Sequence, residues 1–288
     1  MPLLLFVFGA AVGSFLNVVS LRYVPEKFLF HRGVLGGRSW CRACGKTLRW
    51  FELIPLISFA IQGARCRSCK AALTLQYPIV EILGGLIFAF VPSQVAFVLN
   101  RFGAFSFFDF SMLAGLWVLV FLTLLLISAI DARTNLIPDE ANIFLAVLGI
   151  LLMVSGGRAF GPVEGSFLGH YALLFGVRES IWLNHLLAAA LAAIAFGFII
   201  LITRGRAMGL GDLKLAAALG LVFGWPDILM IIVIAFIIGA IAGLAAIIAR
   251  RKTMGSFVAF GPFLSLGALL SFFFGFLILD FYFKLFAL

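Results

Sequence analysis

The chain has 288 residues, 64% of them hydrophobic and 11% charged, with a mean hydropathy of +1.20 and a formal net charge of +9. No water-soluble core requires that much apolar surface, which excludes a soluble globular domain and makes a bilayer the expected solvent. The positive charge calls for no nucleic acid, because anionic lipid headgroups beside a basic segment account for it.

Residues 2–21 form an uncharged run of bilayer-spanning length. The run reads as a retained helix, since it lacks a basic leader before it and a small-residue cleavage site after it. Residues 22–77 follow as the one sizeable polar insertion and hold ten of the 21 basic residues. Apolar runs then recur at 82–100, 111–130, 141–157, 186–203, 215–226, 228–249 and 257–279. The pattern predicts an all-α polytopic membrane protein with about eight transmembrane helices, of which 215–226 is the shortest. If the helices alternate, one face collects seventeen of the 21 basic residues, among them Arg133, Arg204, Arg206, Lys214, Arg250, Arg251 and Lys252. The positive-inside rule makes that face cytoplasmic and leaves both termini outside.

Within the insertion, "CRAC" supplies Cys41 and Cys44, and "CRSC" supplies Cys66 and Cys69; these are all four cysteines of the chain. Two CxxC knuckles suit one tetrahedral zinc site in which each knuckle gives two thiolates. The competing reading is a pair of disulfides, which a reducing cytoplasm disfavours. No coordination position is left for water, so the metal is expected to be structural. An insertion this small benefits from such a staple.

Most of the twelve carboxylates sit where loops or helix ends explain them. Asp139 and Glu140 follow Pro138 and read as helix-start signals. Asp227, after Trp225-Pro226, reads as an outer turn. Asp131 is different, because it closes a twenty-residue apolar run where helix polarity disfavours a negative charge. Asp212, in "GLGDLK", also reads as an ordinary N-cap. However, Gly209 and Gly211 allow close approach, and Lys214 runs against the helix dipole. The helix that follows is too short to cross the hydrocarbon, so its polar start is expected in a protein-lined cavity. Asp131 and Asp212 fall on the same membrane face and form a candidate carboxylate pair.

These residues belong to a longer series. In order it contains "GSFLNVV" (13–19), the two CxxC pairs, "LIPLIS" (53–58), "YPIVE" (77–81), "DARTNLIPD" (131–139), "GLGDLK" (209–214) and "FGPFLSLG" (260–267). In this the chain resembles the type IV prepilin peptidases, membrane aspartic proteases of the GxGD kind, over nearly its whole length. The resemblance implies that Asp131 and Asp212 are the catalytic pair and that residues 78–288 are the membrane-embedded peptidase domain. Residues 1–21 would then be the first transmembrane helix and 22–77 a cytoplasmic zinc module held by Cys41, Cys44, Cys66 and Cys69.

The resemblance further implies substrates that are type IV prepilins or pseudopilins, cut on the cytoplasmic side of the bacterial inner membrane. N-methylation of the new N-terminus with S-adenosylmethionine is the implied second activity. No GxGxxG motif is present, so the residues that bind the methyl donor cannot be derived from motif physics, beyond an expected location near 22–81. The chain departs from the family pattern at Arg42, where Pro is common, at the "LTLQ" before Tyr77, and in a longer loop over 156–181. The basic insertion would repel a basic leader, which directs leader docking to membrane lipid or to the acids. A multi-helix transporter using Asp131 and Asp212 as ion or proton sites is the alternative, but it calls for midplane charges and an inverted repeat. Neither is visible.

Overall fold

The computed structural model describes residues 2–26, 28–100, 106–159, 166–172, 180–206, 208–249 and 258–285. Among the described residues ten α-helices follow in order: α1 (Pro2–Arg22), α2 (Arg32–Leu35), α3 (Ile57–Ile61), α4 (Gln76–Asn100), α5 (Phe107–Thr134), α6 (Asp139–Ala159), α7 (Ile181–Thr203), α8 (Leu210–Phe223), α9 (Asp227–Ile248) and α10 (Gly261–Leu285). Single 3-10 turns lie at Trp50–Glu52 and Gly169–Tyr171. Among the described residues there is no strand, only two isolated bridges in the cysteine-bearing segment. Helices dominate because hydrocarbon offers no partner to a backbone N–H or C=O, and a helix satisfies both within itself.

Seven of the helices are long and apolar enough to cross a membrane. The chain is therefore a multi-pass membrane protein, as its apolar runs predict. The eighth expected span is α8, whose 14 residues start at Leu210 rather than at 215. At the standard rise it covers about 21 Å, short of the roughly 30 Å of hydrocarbon. Lys27, Arg250, Arg251, Lys252 and much of the 156–181 loop lie outside the described residues.

α5 is the central post. Val120, Ile127 and Ile130 are fully buried, and α1, α4, α6 and α10 pack around it. α9 is the opposite case, with only 11% of its most apolar stretch buried, so lipid must cover the rest. α1 and α4 run antiparallel in close contact. A Cβ on Gly84 would lie 2.6 Å from the Gly9 carbonyl oxygen, so only glycine permits this backbone approach. At the end of that interface the Gln76 amide donates to Asn17 Oδ1 at 3.0 Å and Ser20 Oγ at 3.2 Å.

α8 is wedged between α6 and α7 by small residues. A Cβ on Gly220 would meet Ala189 at 2.6 Å, and one on Gly149 would meet the Leu221 backbone at 2.9 Å. Its C-terminal end is held by a reciprocal pair: Trp225 N–H donates to Asn184 Oδ1, and Asn184 Nδ2 donates to the Trp225 carbonyl, both at 2.8 Å. Beside it Asp227, the first residue of α9 after the Trp225-Pro226 turn, is 1% exposed. Its carboxylate accepts Ser166 Oγ at 2.6 Å and Phe167 N–H at 3.0 Å, and so ties the described part of the connecting loop to α9.

Candidate active site

Asp131 lies in the last turn of α5 and is 3% exposed. The helix ends on Asn135, in the left-handed conformation at φ 52°, whose N–H donates to the Asp131 carbonyl. Burial of the Asp131 side chain follows from the apolar residues of α5 that precede it and from α10, which starts against it. Gly261 N–H donates to Asp131 Oδ2 at 2.8 Å. A Cβ on Gly261 would itself stand 2.8 Å from that oxygen, so glycine is required for the contact.

Asp212 is the third residue of α8, and the N-cap is Gly209 rather than Asp212 itself. Asp212 Oδ2 accepts the Gly209 N–H at 3.1 Å, the back-bond half of a capping box. Capping is thus real, and it engages one carboxylate oxygen. The side chain is half-buried.

The fold brings the two acids together. Ile137, in the turn between α5 and α6, is the common neighbour of the two glycines that adjoin the acids: a Cβ on Gly211 would touch its Cβ at 3.2 Å, and one on Gly261 its Cδ1 at 3.4 Å. The acids are near enough for their charges to interact. A buried acid beside a half-buried one, each with one backbone N–H on its carboxylate, can share proton traffic with a water between them.

Lys214, which no helix-capping rule explains, reaches across to α6. Its ammonium contacts both Asp139 oxygens at 2.8 Å, with the side chains 48% and 61% exposed. Asp139 is therefore both a helix-start residue and the anchor that aligns the first turns of α6 and α8. Sequence reasoning overlooked Glu81 as an individual group. It is 5% exposed and accepts hydrogen bonds from Ser14 and from the Leu56 N–H. The available signal was a carboxylate directly abutting the apolar run 82–100.

The four cysteines converge. All are free thiols, and their sulfur atoms lie within 4.8 Å of one another, with Cys41 and Cys69 Sγ at 3.8 Å. Four thiolates at about 2.3 Å from zinc stand about 3.8 Å apart in a tetrahedron, so the cluster fits that geometry. The two knuckles repeat one another. Cys41 N–H bonds the Lys46 carbonyl and Gly45 N–H the Cys41 carbonyl; Cys66 N–H bonds Ala71 and Lys70 N–H bonds Cys66. Backbone N–H groups of Cys69 and Ser68 hold the Cys66 thiol down at about 6, while Cys69, despite the Ala71 N–H, is pushed up to about 11 by burial and by the neighbouring thiols, so the cluster favours thiolate at Cys66 first.

A membrane bundle carrying two carboxylates at adjoining helix ends, with a four-cysteine cluster beside it, defines a polytopic membrane protein with an acid-pair site. Residues 7–95 match the bacterial peptidase A24 N-terminal domain, and residues 118–244 match the type IV leader peptidase family. A relative from Bacillus subtilis (strain 168) is 29% identical over 98% of both chains. One from Pseudomonas aeruginosa is 30% identical over 90% of this chain and 85% of its own length. A Neisseria gonorrhoeae relative is 31% identical, again over 90% of this chain and 85% of its own length. All three are named prepilin leader peptidase/N-methyltransferase. No solved structure matches the chain. The chain belongs to the type IV leader peptidase family.

Proposed function

We propose that this chain removes the leader from type IV prepilins or pseudopilins at the cytoplasmic face of the bacterial inner membrane, and methylates the amine so exposed. The observation that carries the reading is that Asp131 and Asp212 stand at adjoining helix ends, near enough for their charges to interact. One carboxylate accepts a proton from water while the other donates one to the scissile carbonyl. Helix polarity favours a negative charge at the start of α8 and disfavours it at the end of α5. Asp212 is accordingly the base that activates water, and the deeper Asp131 is the acid.

The division into a first helix (1–21), a zinc module (22–77) and a peptidase domain (78–288) belongs to the same reading. Zinc held by Cys41, Cys44, Cys66 and Cys69 would fix the knuckles and supply no reactive water, because four thiolates complete its tetrahedron. S-Adenosylmethionine, when bound, would supply an electrophilic methyl group. The basic insertion suits an anionic lipid surface, where the substrate's own apolar helix lies. The test is incubation of the purified protein with a prepilin, S-adenosylmethionine and lipid. Mass spectrometry should record loss of a leader-sized peptide and gain of one methyl group, and an unaltered substrate mass would reject the reading.

A further inference from the structure

Glu81 lines a cavity of about 740 Å³ between the ends of α1 and α5, the start of α4 and the inner side of the knuckles. The size suits a small-molecule ligand. The carboxylate is fixed by Ser14 Oγ on Oε1 at 2.8 Å and Leu56 N–H on Oε2 at 2.7 Å. Leu56 makes that bond from φ 62°, a left-handed backbone that a leucine adopts only under constraint. Each Glu81 oxygen keeps a second lone pair.

Among the described residues no cation pairs with Glu81; the ion pairs are Lys214–Asp139 and Lys284–Asp280. The three arginines that reach the same cavity spend N–H groups on carbonyls instead. Arg22 bonds Gly36 and Arg38, Arg42 bonds Leu21, and Arg133 bonds Ser20 and Tyr23. A buried carboxylate without a counter-charge is costly, so a ligand that brings positive charge to Glu81 is favoured. Tyr77 and Trp40 line the same space, one face of Trp40 already carrying the Arg22 guanidinium at 4.9 Å, and aromatic faces attract cations and stack on planar bases.

We propose that Glu81 holds the sulfonium of S-adenosylmethionine in this cavity, an inference that rests on the methyl-transfer reading above. Tyr77 and Trp40 suit the adenosyl group, and the remaining arginine N–H groups suit the donor's carboxylate. Arg133 and Thr134 belong to the wall and follow Asp131 by two and three residues in α5. A peptide amine released at Asp131 therefore emerges beside the cavity. That amine, released as its ammonium, gives one proton to water, its nitrogen lone pair forms the N–C bond, and the methyl–sulfur bond breaks with its electrons going to sulfur, leaving neutral S-adenosylhomocysteine. The charge that faced Glu81 is gone, which favours release of the spent donor.

The charge difference between the two ligands is the test. Binding of each to full-length protein in lipid nanodiscs is measured for wild type and Glu81→Gln, with thermal unfolding as the check on folding. The glutamine keeps acceptor and shape but not charge. It should weaken S-adenosylmethionine by roughly tenfold or more and leave S-adenosylhomocysteine unchanged. Equal change in both ligands, or in neither, overturns the assignment of Glu81 while methyl transfer stands. A wild type that binds neither ligand overturns methyl transfer itself. Should Glu81→Gln not fold, ultraviolet crosslinking of methyl-labelled S-adenosylmethionine to wild type decides. Label is expected on the peptides containing Trp40 or Tyr77, and label only elsewhere overturns the site.

Discussion

Gly261→Ala isolates the positioning of Asp131 from its chemistry. The added Cβ would stand 2.8 Å from Asp131 Oδ2, where ordinary contact begins at 3.4 Å, so about 0.6 Å must be found. The helix leading up to the carboxylate is largely buried, and Gly261 opens α10, so neither backbone yields easily. The short Asp131 side chain is left to rotate away from Asp212. A misplacement near 1 Å costs on the order of 100-fold in rate, so about 10- to 100-fold in kcat is expected here, with KM little altered. Folding should survive, because the other neighbour of that Cβ, Ile137, is already at 3.4 Å. Leader cleavage followed by mass spectrometry, beside a melting curve in detergent, measures both. Cleavage within twofold of wild type, from a protein that melts normally, would refute the claim that Asp131 must hold this position.

The cysteine cluster should bind one zinc per chain, read by metal analysis of purified protein. The Cys66 thiol is held down at about 6 by backbone N–H groups. Protons compete with zinc for all four thiolates, so zinc should be released by acid and retained at neutrality. Cys41→Ser or chelation should raise hydrogen exchange across residues 22–77 more than in the helices. Lys214→Ala removes an ion pair whose side chains are 48% and 61% exposed, so unfolding should shift by less than about 1 kcal/mol. A larger loss would mean the pair organises the site as well as decorating it.

What the sequence reveals here is set by whether a signal is local. Apolar runs announce helices because bilayer thickness imposes a length, and α8 is conspicuous by missing it. Asp131 stands out because a charge at a helix C-terminus has a local cost, and the cysteines because a knuckle's spacing is its geometry. Contacts made across the chain leave no such trace. The partner of Lys214 is 75 positions away, and the N–H on Asp131 comes from 130 positions on. Asp227 reads as an outer turn from its Trp-Pro neighbours, and nothing local announces that Ser166 and Phe167 donate to its carboxylate. The position of Asp212 differs for a finer reason, since Gly209 supplies the N-cap and lets the aspartate bond back to it from three residues further in than a cap would sit.

The central claim is that Asp131 and Asp212 together cut the substrate, and single-site neutralisation tests it most directly. Asp131→Asn and Asp212→Asn keep shape and the backbone hydrogen bonds but cannot take or give the proton. Each, purified with its zinc content and melting curve unchanged, should lose prepilin cleavage by roughly a hundredfold to ten-thousandfold. Cleavage near the wild-type rate by either variant would contradict the account.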